Sequence, residues 1–122
     1  MMTKIIYPNQ KEIHDKIINI LIKKYLSKFG EVYLIGSLAN GNFGKYENQE
    51  VSDIDIVAIP KKLDEKWIYE GEFHGWHKKY KIGEIEIENT FHPISLMIPL
   101  KDNFKDLFKL GKKLNWKVEK IK

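Results

Sequence analysis

The sequence lacks cysteine and long apolar runs, and these absences narrow the class of protein. Without cysteine, the 122-residue chain has neither a disulfide framework nor a thiolate nucleophile. No apolar run approaches the roughly 20 residues of a membrane span, and the N-terminus lacks a secretory-signal pattern. We therefore expect a cytoplasmic protein with no membrane partner. This length suits a single domain over residues 1–122, with one modest core and no added substrate-binding domain.

Arginine is also missing, and all 21 basic residues are lysines scattered along the chain. Sites that read phosphates or bases in detail favour arginine, because its planar fork forms bidentate hydrogen bonds. A solvated lysine surface is therefore the favoured interpretation of the formal charge of +4, and nucleic-acid binding is the weaker alternative. The charge equally suits a triphosphate or an acidic partner.

One apolar segment ends in a glycine-serine pair that has the character of a phosphate site. The run Val32–Ile35 stops at Gly36-Ser37 and continues into Leu38-Ala39-Asn40-Gly41. This pattern predicts a buried strand, a tight glycine turn and a short helix. A turn of that kind offers free backbone N–H groups, a hydroxyl and the positive end of the helix dipole.

A second apolar segment carries two acidic residues, Asp53 and Asp55, in the run Ser52-Asp53-Ile54-Asp55-Ile56-Val57. In a strand, residues two apart point to the same face, so both carboxylates are expected to project together. Two neighbouring carboxylates repel one another unless a cation lies between them. Mg²⁺ is the simplest such cation, because it takes carboxylate oxygens and keeps waters or phosphates as its other ligands.

Together, Gly36-Ser37-x-x-x-Gly41 and Ser52-Asp53-x-Asp55 resemble the signature of the DNA polymerase beta-like nucleotidyltransferase superfamily. The likeness covers residues from about 30 to 60 and is greatest to the minimal, antitoxin-type nucleotidyltransferases. The resemblance implies Mg²⁺-dependent transfer of a nucleoside monophosphate from an NTP, ATP favoured, to a hydroxyl acceptor. It also implies that Gly36 and Ser37 bind the phosphates of the NTP. It makes Asp53 and Asp55 the catalytic ligands of a two-metal site, and it suggests a HEPN-type toxin as partner.

The sequence departs from this family at one position. Catalytic members carry a third carboxylate on a later strand, and the matching run Ile94–Ile98 has Ser95 there. A serine hydroxyl supplies neither the charge of a carboxylate nor a base at neutral pH. Glu86 or Glu88 is an alternative third ligand, unless both are solvent-facing charges. A second hypothesis is therefore a weak or inactive module of the same fold that acts by protein–protein contact.

The fold expected from these patterns is α/β, or α+β, with a mixed sheet of about four or five strands and the first and last helices on one face. Asn9 and Glu12 resemble a capping pair for a helix that ends near Gly30. The sequence predicts a turn at His92-Pro93, and a last helix capped by Asp102 or Asn103. The tail after that helix either completes the sheet or contacts a partner.

The aromatic stretch from Trp67 to Tyr80 allows two interpretations. Core or interface packing is favoured over stacking on a nucleotide base. A zinc site at His74 and His77 is disfavoured, because no further ligands accompany the two histidines. The acceptor, the preferred base and the oligomeric state stay open at this point.

Overall fold

A computed structural model describes residues 3–48 and 50–122, and it has an α+β architecture. The helices are α1 (Gln10–Lys24), α2 (Gly36–Asn40) and α3 (Lys105–Leu114). The strands are β1 (Lys4–Ile6), β2 (Val32–Ile35), β3 (Gly44–Tyr46), β4 (Ile54–Ala58), β5 (Ile68–Phe73), β6 (His77–Ile87), β7 (Thr90–Pro99) and β8 (Glu119–Lys120). Within the described ranges, no helix is long and apolar enough to cross a membrane.

Six strands form the main sheet in the order β5-β6-β7-β4-β2-β8, and β1 pairs with β3 in a separate ribbon. The sheet is mixed, as predicted, because β4 and β7 run parallel while the other neighbours are antiparallel. The predicted number of four or five strands is too low. The tail completes the sheet, since β8 pairs with β2 through Tyr33 and Lys120.

The central strands are buried on both faces, and each face carries a different helix. Successive residues of β2 alternate between two hydrophobic clusters: Leu34 packs with the buried side of α1, and Tyr33 packs with Leu107 of α3. We call these the α1 face and the α3 face. The prediction that the first and last helices share one face is therefore wrong. Strands with apolar residues at every position give no sequence signal for which helix covers which side.

Several predicted boundaries differ from those of the structure. Helix α1 ends at Lys24, not near Gly30, and within the described residues the Asn9 side chain makes no capping hydrogen bond. Asn103 does accept a hydrogen bond from the Lys105 N–H at the start of α3 (3.0 Å). The turn predicted at His92-Pro93 is wrong, because both residues lie inside β7.

The actual turn between β6 and β7 consists of Glu88 and Asn89, both with positive φ (51° and 59°). Two-residue hairpin loops prefer this left-handed conformation. Glutamate rarely adopts it, so the sequence carries only a weak signal for the turn.

Candidate functional site

The two segments singled out in the sequence meet at the centre of the sheet. Asp55 on β4 lies opposite Ile35 on β2 and beside Ser95 on β7. Ile35 leads directly into Gly36 and α2, so the glycine-serine turn begins next to the Asp55 carboxylate. The register of these three strands therefore brings together the two parts of the predicted site.

Gly36 makes the closest approach between these two parts. Its φ is +79°, and a Cβ at this position would overlap Oδ2 of Asp55. Glycine is thus required both for the backbone conformation and for the space that the carboxylate occupies. The helix that follows is only five residues long. Its dipole is therefore small, and any anion at this turn would depend on the Ser37 hydroxyl and nearby backbone N–H groups.

Burial dominates the electrostatics of Asp55. The pKa of the Asp55 carboxyl is raised from 3.8 to about 7: burial raises it most, the Asp53 charge also raises it, and Lys79 lowers it in part. The carboxyl is therefore about half protonated near neutral pH when no cation is bound. Such a perturbed carboxylate inside a cleft is a feature of functional sites.

Asp53 has two polar partners on the same carboxylate oxygen. The Lys79 ammonium lies 3.3 Å from Oδ2 of Asp53, and the Ser95 hydroxyl donates a hydrogen bond to that oxygen at 3.2 Å. The ion pair is partly exposed, with about a quarter to a third of each side chain accessible. Sequence reasoning missed Lys79, because nothing distinguishes it from the other lysines until β6 folds beside β7.

The structure does not bring Glu86 or Glu88, the alternative third ligands, close to the Asp53–Asp55 pair. Glu86 lies opposite Phe91, which is four residues along β7 from Ser95, about 13 Å at the rise of a strand. Glu88 lies in the exposed hairpin loop beyond it. Among residues 3–48 and 50–122, no group of three or more acidic, histidine or cysteine side chains is placed to hold a metal ion.

The donors that are present still fit one magnesium ion. Mg²⁺ is commonly held by one or two carboxylates while substrate phosphates and waters complete its octahedron. Asp53 and Asp55 supply those carboxylates, and their mutual repulsion favours a cation between them. A second ion would have to compete with the Lys79 ammonium for the same oxygen.

A cavity of about 500 Å³ opens beside Asp55 on the α3 face. Its walls come from the end of β2, the β5–β6 hairpin, the last turns of α3 and the tail. The aromatic stretch that the sequence assigned to core packing contributes His74, Trp76 and His77 to this lining. His74 and His77 lie with ring centroids 6.1 Å apart, and no acidic ligand set accompanies them in the described part of the chain.

No family model, curated protein or solved structure matches this chain.

The site combines a carboxylate pair, an ammonium group, a hydroxyl and a backbone turn that reaches the carboxylate. An aromatic-lined cavity adjoins it. This arrangement suits a divalent cation together with an anionic ligand that also has an apolar part.

Proposed function

We propose that the protein is a Mg²⁺-dependent nucleotidyltransferase. It transfers the nucleoside monophosphate of an NTP, with ATP favoured, to a hydroxyl acceptor and releases pyrophosphate. The observation that carries this proposal is the contact between the Gly36 backbone and the Asp55 carboxylate. This close approach puts the turn that would bind the phosphates next to the carboxylates that would bind the metal, as one metal–triphosphate complex needs.

The roles of the residues follow from their positions. Asp53 and Asp55 would hold the ion, while Gly36 and Ser37 would hold the phosphates through backbone N–H groups and the hydroxyl. Bound Mg²⁺ supplies charge neutralisation for the triphosphate. Two carboxylates and the Lys79 ammonium leave one net negative charge. We therefore propose one ion at the pair, with Lys79 as the second positive charge, in place of the two ions that the resemblance implies.

The experiment is isothermal titration of ATP, GTP, CTP and UTP with and without Mg²⁺. The wild type is compared with Asp53→Asn/Asp55→Asn and with the control Asp64→Asn/Asp102→Asn. The control removes the same formal charge from loop positions outside the site. We expect Mg²⁺-dependent binding in the wild type and the control, and none in the site variant. If the folded wild type binds none of the four nucleotides, the proposal is wrong.

Transfer is tested with NTPs labelled at the α-phosphate. Label is expected to appear on a hydroxyl-bearing acceptor, and a small helical toxin of the HEPN type is the first acceptor to try. Pyrophosphate must appear in equal amount. Label on the γ-phosphate must stay out of the modified acceptor and appear in the pyrophosphate, because only the monophosphate is transferred.

A second candidate is a weak or inactive module of the same fold that acts by protein contact. The observation in its favour is that Ser95 stands where a third carboxylate is expected, and that its hydroxyl and the Lys79 ammonium both contact Oδ2 of Asp53. This candidate predicts that a partner binds equally well to the wild type and to Asp53→Asn/Asp55→Asn, with no transfer of label. The nucleotidyltransferase proposal predicts label transfer that the double variant loses.

A further inference from the structure

The cavity beside Asp55 is continuous with the proposed phosphate site but has different chemistry. Gly36 and Asp55 belong to its lining. The rest is mainly apolar, and comes from both faces of a cleft between the sheet and α3. The apolar lining residues are Ile35, Trp76, Met97, Leu110, Leu114 and Trp116.

The burial of these lining residues varies widely, from buried to exposed. Trp76 is 4% exposed and belongs to the hydrophobic cluster of the α3 face. Leu114 is 51% exposed, and Trp116 is partly buried. The volume of about 500 Å³ lies within the range of small-molecule sites and exceeds the volume of one nucleobase.

His77 provides an unpaired polar group in this lining. Its side chain is only 2% exposed, and Nδ1 has no hydrogen-bond partner among the described residues. Burial, His74 and Lys79 lower the pKa of His77 to about 4, so the imidazole is neutral at physiological pH. A buried polar atom without a partner costs free energy, and a ligand that pairs with the ring would recover part of that cost.

We propose that this cavity binds the nucleobase of the nucleoside triphosphate whose phosphates lie at Gly36, Ser37 and Asp55. The inference rests on the proposed function for the phosphate end. The partly exposed indole of Trp116 offers a flat apolar surface on which a base can stack, and the buried Trp76 forms part of the apolar wall. The imidazole of His77 offers a neutral hydrogen-bonding group, and the contiguity with Asp55 fixes which end of the nucleotide enters.

The test compares the four NTPs with inorganic tripolyphosphate, each titrated with Mg²⁺, because tripolyphosphate has the phosphates without a base. Wild type is expected to bind at least one NTP about tenfold or more tightly than tripolyphosphate. Trp116→Leu is expected to weaken that NTP at least about fivefold, since base stacking on an aromatic side chain is worth about 1–3 kcal/mol. It should change tripolyphosphate binding less than about twofold.

Trp67→Leu is the matched control, because Trp67 is also a partly buried tryptophan but packs near Phe29, away from the cavity. This substitution should leave the affinities for the NTP and for tripolyphosphate unchanged. His77→Phe keeps a ring of similar size and removes the polar atoms. It is expected to weaken the preferred NTP about threefold or more and to narrow the differences among the four bases.

The outcomes separate the two proposals. Equal Mg²⁺-dependent binding of NTPs and tripolyphosphate, lost in Asp53→Asn/Asp55→Asn, would overturn the base site and leave the phosphate site standing. NTP binding that Trp116→Leu weakens but the double aspartate variant retains would overturn the metal site and support the cavity. No binding of any NTP would overturn both. The wild-type comparison decides the inference even where a tryptophan variant does not fold.

Discussion

At the scale of single residues, Asp55 has a carboxyl whose charged form is strongly disfavoured by burial. Its pKa is raised to about 7 in the folded protein, while an unfolded chain keeps an ordinary value near 3.8. The folded state therefore binds more protons between about pH 4 and 7, and its stability falls as the pH rises through that window. Above the window, the metal-free protein carries the full cost of a buried charge.

Asp55→Asn removes this cost. With a chelator present at pH 8, the free energy of unfolding of the variant is expected to exceed that of the wild type by a few kcal/mol. One unit of pKa shift corresponds to about 1.4 kcal/mol. At pH 4 the two proteins should be nearly equal. Urea unfolding at both pH values measures the difference. Asp102→Asn, at an exposed position, should change little at either pH, and an Asp55→Asn gain independent of pH would contradict the argument.

Lys79 is the second residue with a clear electrostatic consequence. Its ammonium lies 3.3 Å from the Asp53 oxygen that a divalent ion would use, so it competes with that ion. Lys79→Met is expected to tighten Mn²⁺ binding, used as a probe for Mg²⁺, by about two- to tenfold, a modest gain because the pair is partly exposed. Electron paramagnetic resonance of free Mn²⁺ measures the affinity.

Lys78→Met is the control, since Lys78 is the exposed neighbour of Lys79 on the same strand. An equal gain from both variants would show a general charge effect and not direct competition at Asp53.

At the scale of elements, a buried hydrogen-bond chain ties β7 to the segment that carries the acids. His92 Nδ1 lies 2.8 Å from the Ser52 carbonyl oxygen, and Nε2 lies 2.9 Å from the Tyr7 hydroxyl. Because a carbonyl only accepts, Nδ1 donates and Nε2 accepts from Tyr7. Burial lowers the pKa of His92, consistent with this neutral form. These hydrogen bonds hold Ser52, the residue directly before Asp53, in place.

His92→Phe would leave the Tyr7 hydroxyl and the Ser52 carbonyl without this partner. We expect a loss of a few kcal/mol in the free energy of unfolding, at about 1–3 kcal/mol for each unsatisfied buried group. Mn²⁺ affinity at Asp53 should also fall. Tyr7→Phe, which removes one bond and leaves the Ser52 contact intact, should cost less in urea unfolding and leave Mn²⁺ affinity nearly unchanged. Equal effects of both substitutions on Mn²⁺ would contradict a positioning role for His92.

The elements that the sequence predicted are those whose residues carry a local signal. Apolar runs and a glycine turn define β2, α2 and β4, and the spacing of Asp53 and Asp55 predicts that they share a face. Lys79 and the cavity carry no such signal, because they arise when β6 and the tail fold onto β4 and β7. Ser95 is intermediate: the family resemblance marks it as the third-acid position, while its place beside Asp55 and its hydrogen bond to Asp53 are tertiary features.

At the scale of the whole molecule, the two faces of the sheet are covered unequally. Helix α1 buries Ile13, Ile17 and Leu21, whereas α3 buries Leu107 and Gly111. An added Cβ on Gly111 would lie 2.8 Å from the Val118 side chain, so α3 also lies in close contact with the tail. The free energy of local opening follows buried contacts, and α3 is therefore expected to open more readily than α1.

Hydrogen–deuterium exchange tests this inequality. Amides of α3 are expected to exchange at least about tenfold faster than those of the central turns of α1 in the free protein. Adding Mg²⁺ and the preferred NTP should slow amide exchange in α3 several-fold, because Leu110 and Leu114 line the cavity that the base would fill. Exchange in α1 should stay unchanged. Tripolyphosphate with Mg²⁺ is the control ligand and should protect the Gly36 turn without protecting α3. Protection of α1 and α3 to the same degree would instead indicate global stabilisation by ligand at the carboxylates, with no occupant in the cavity.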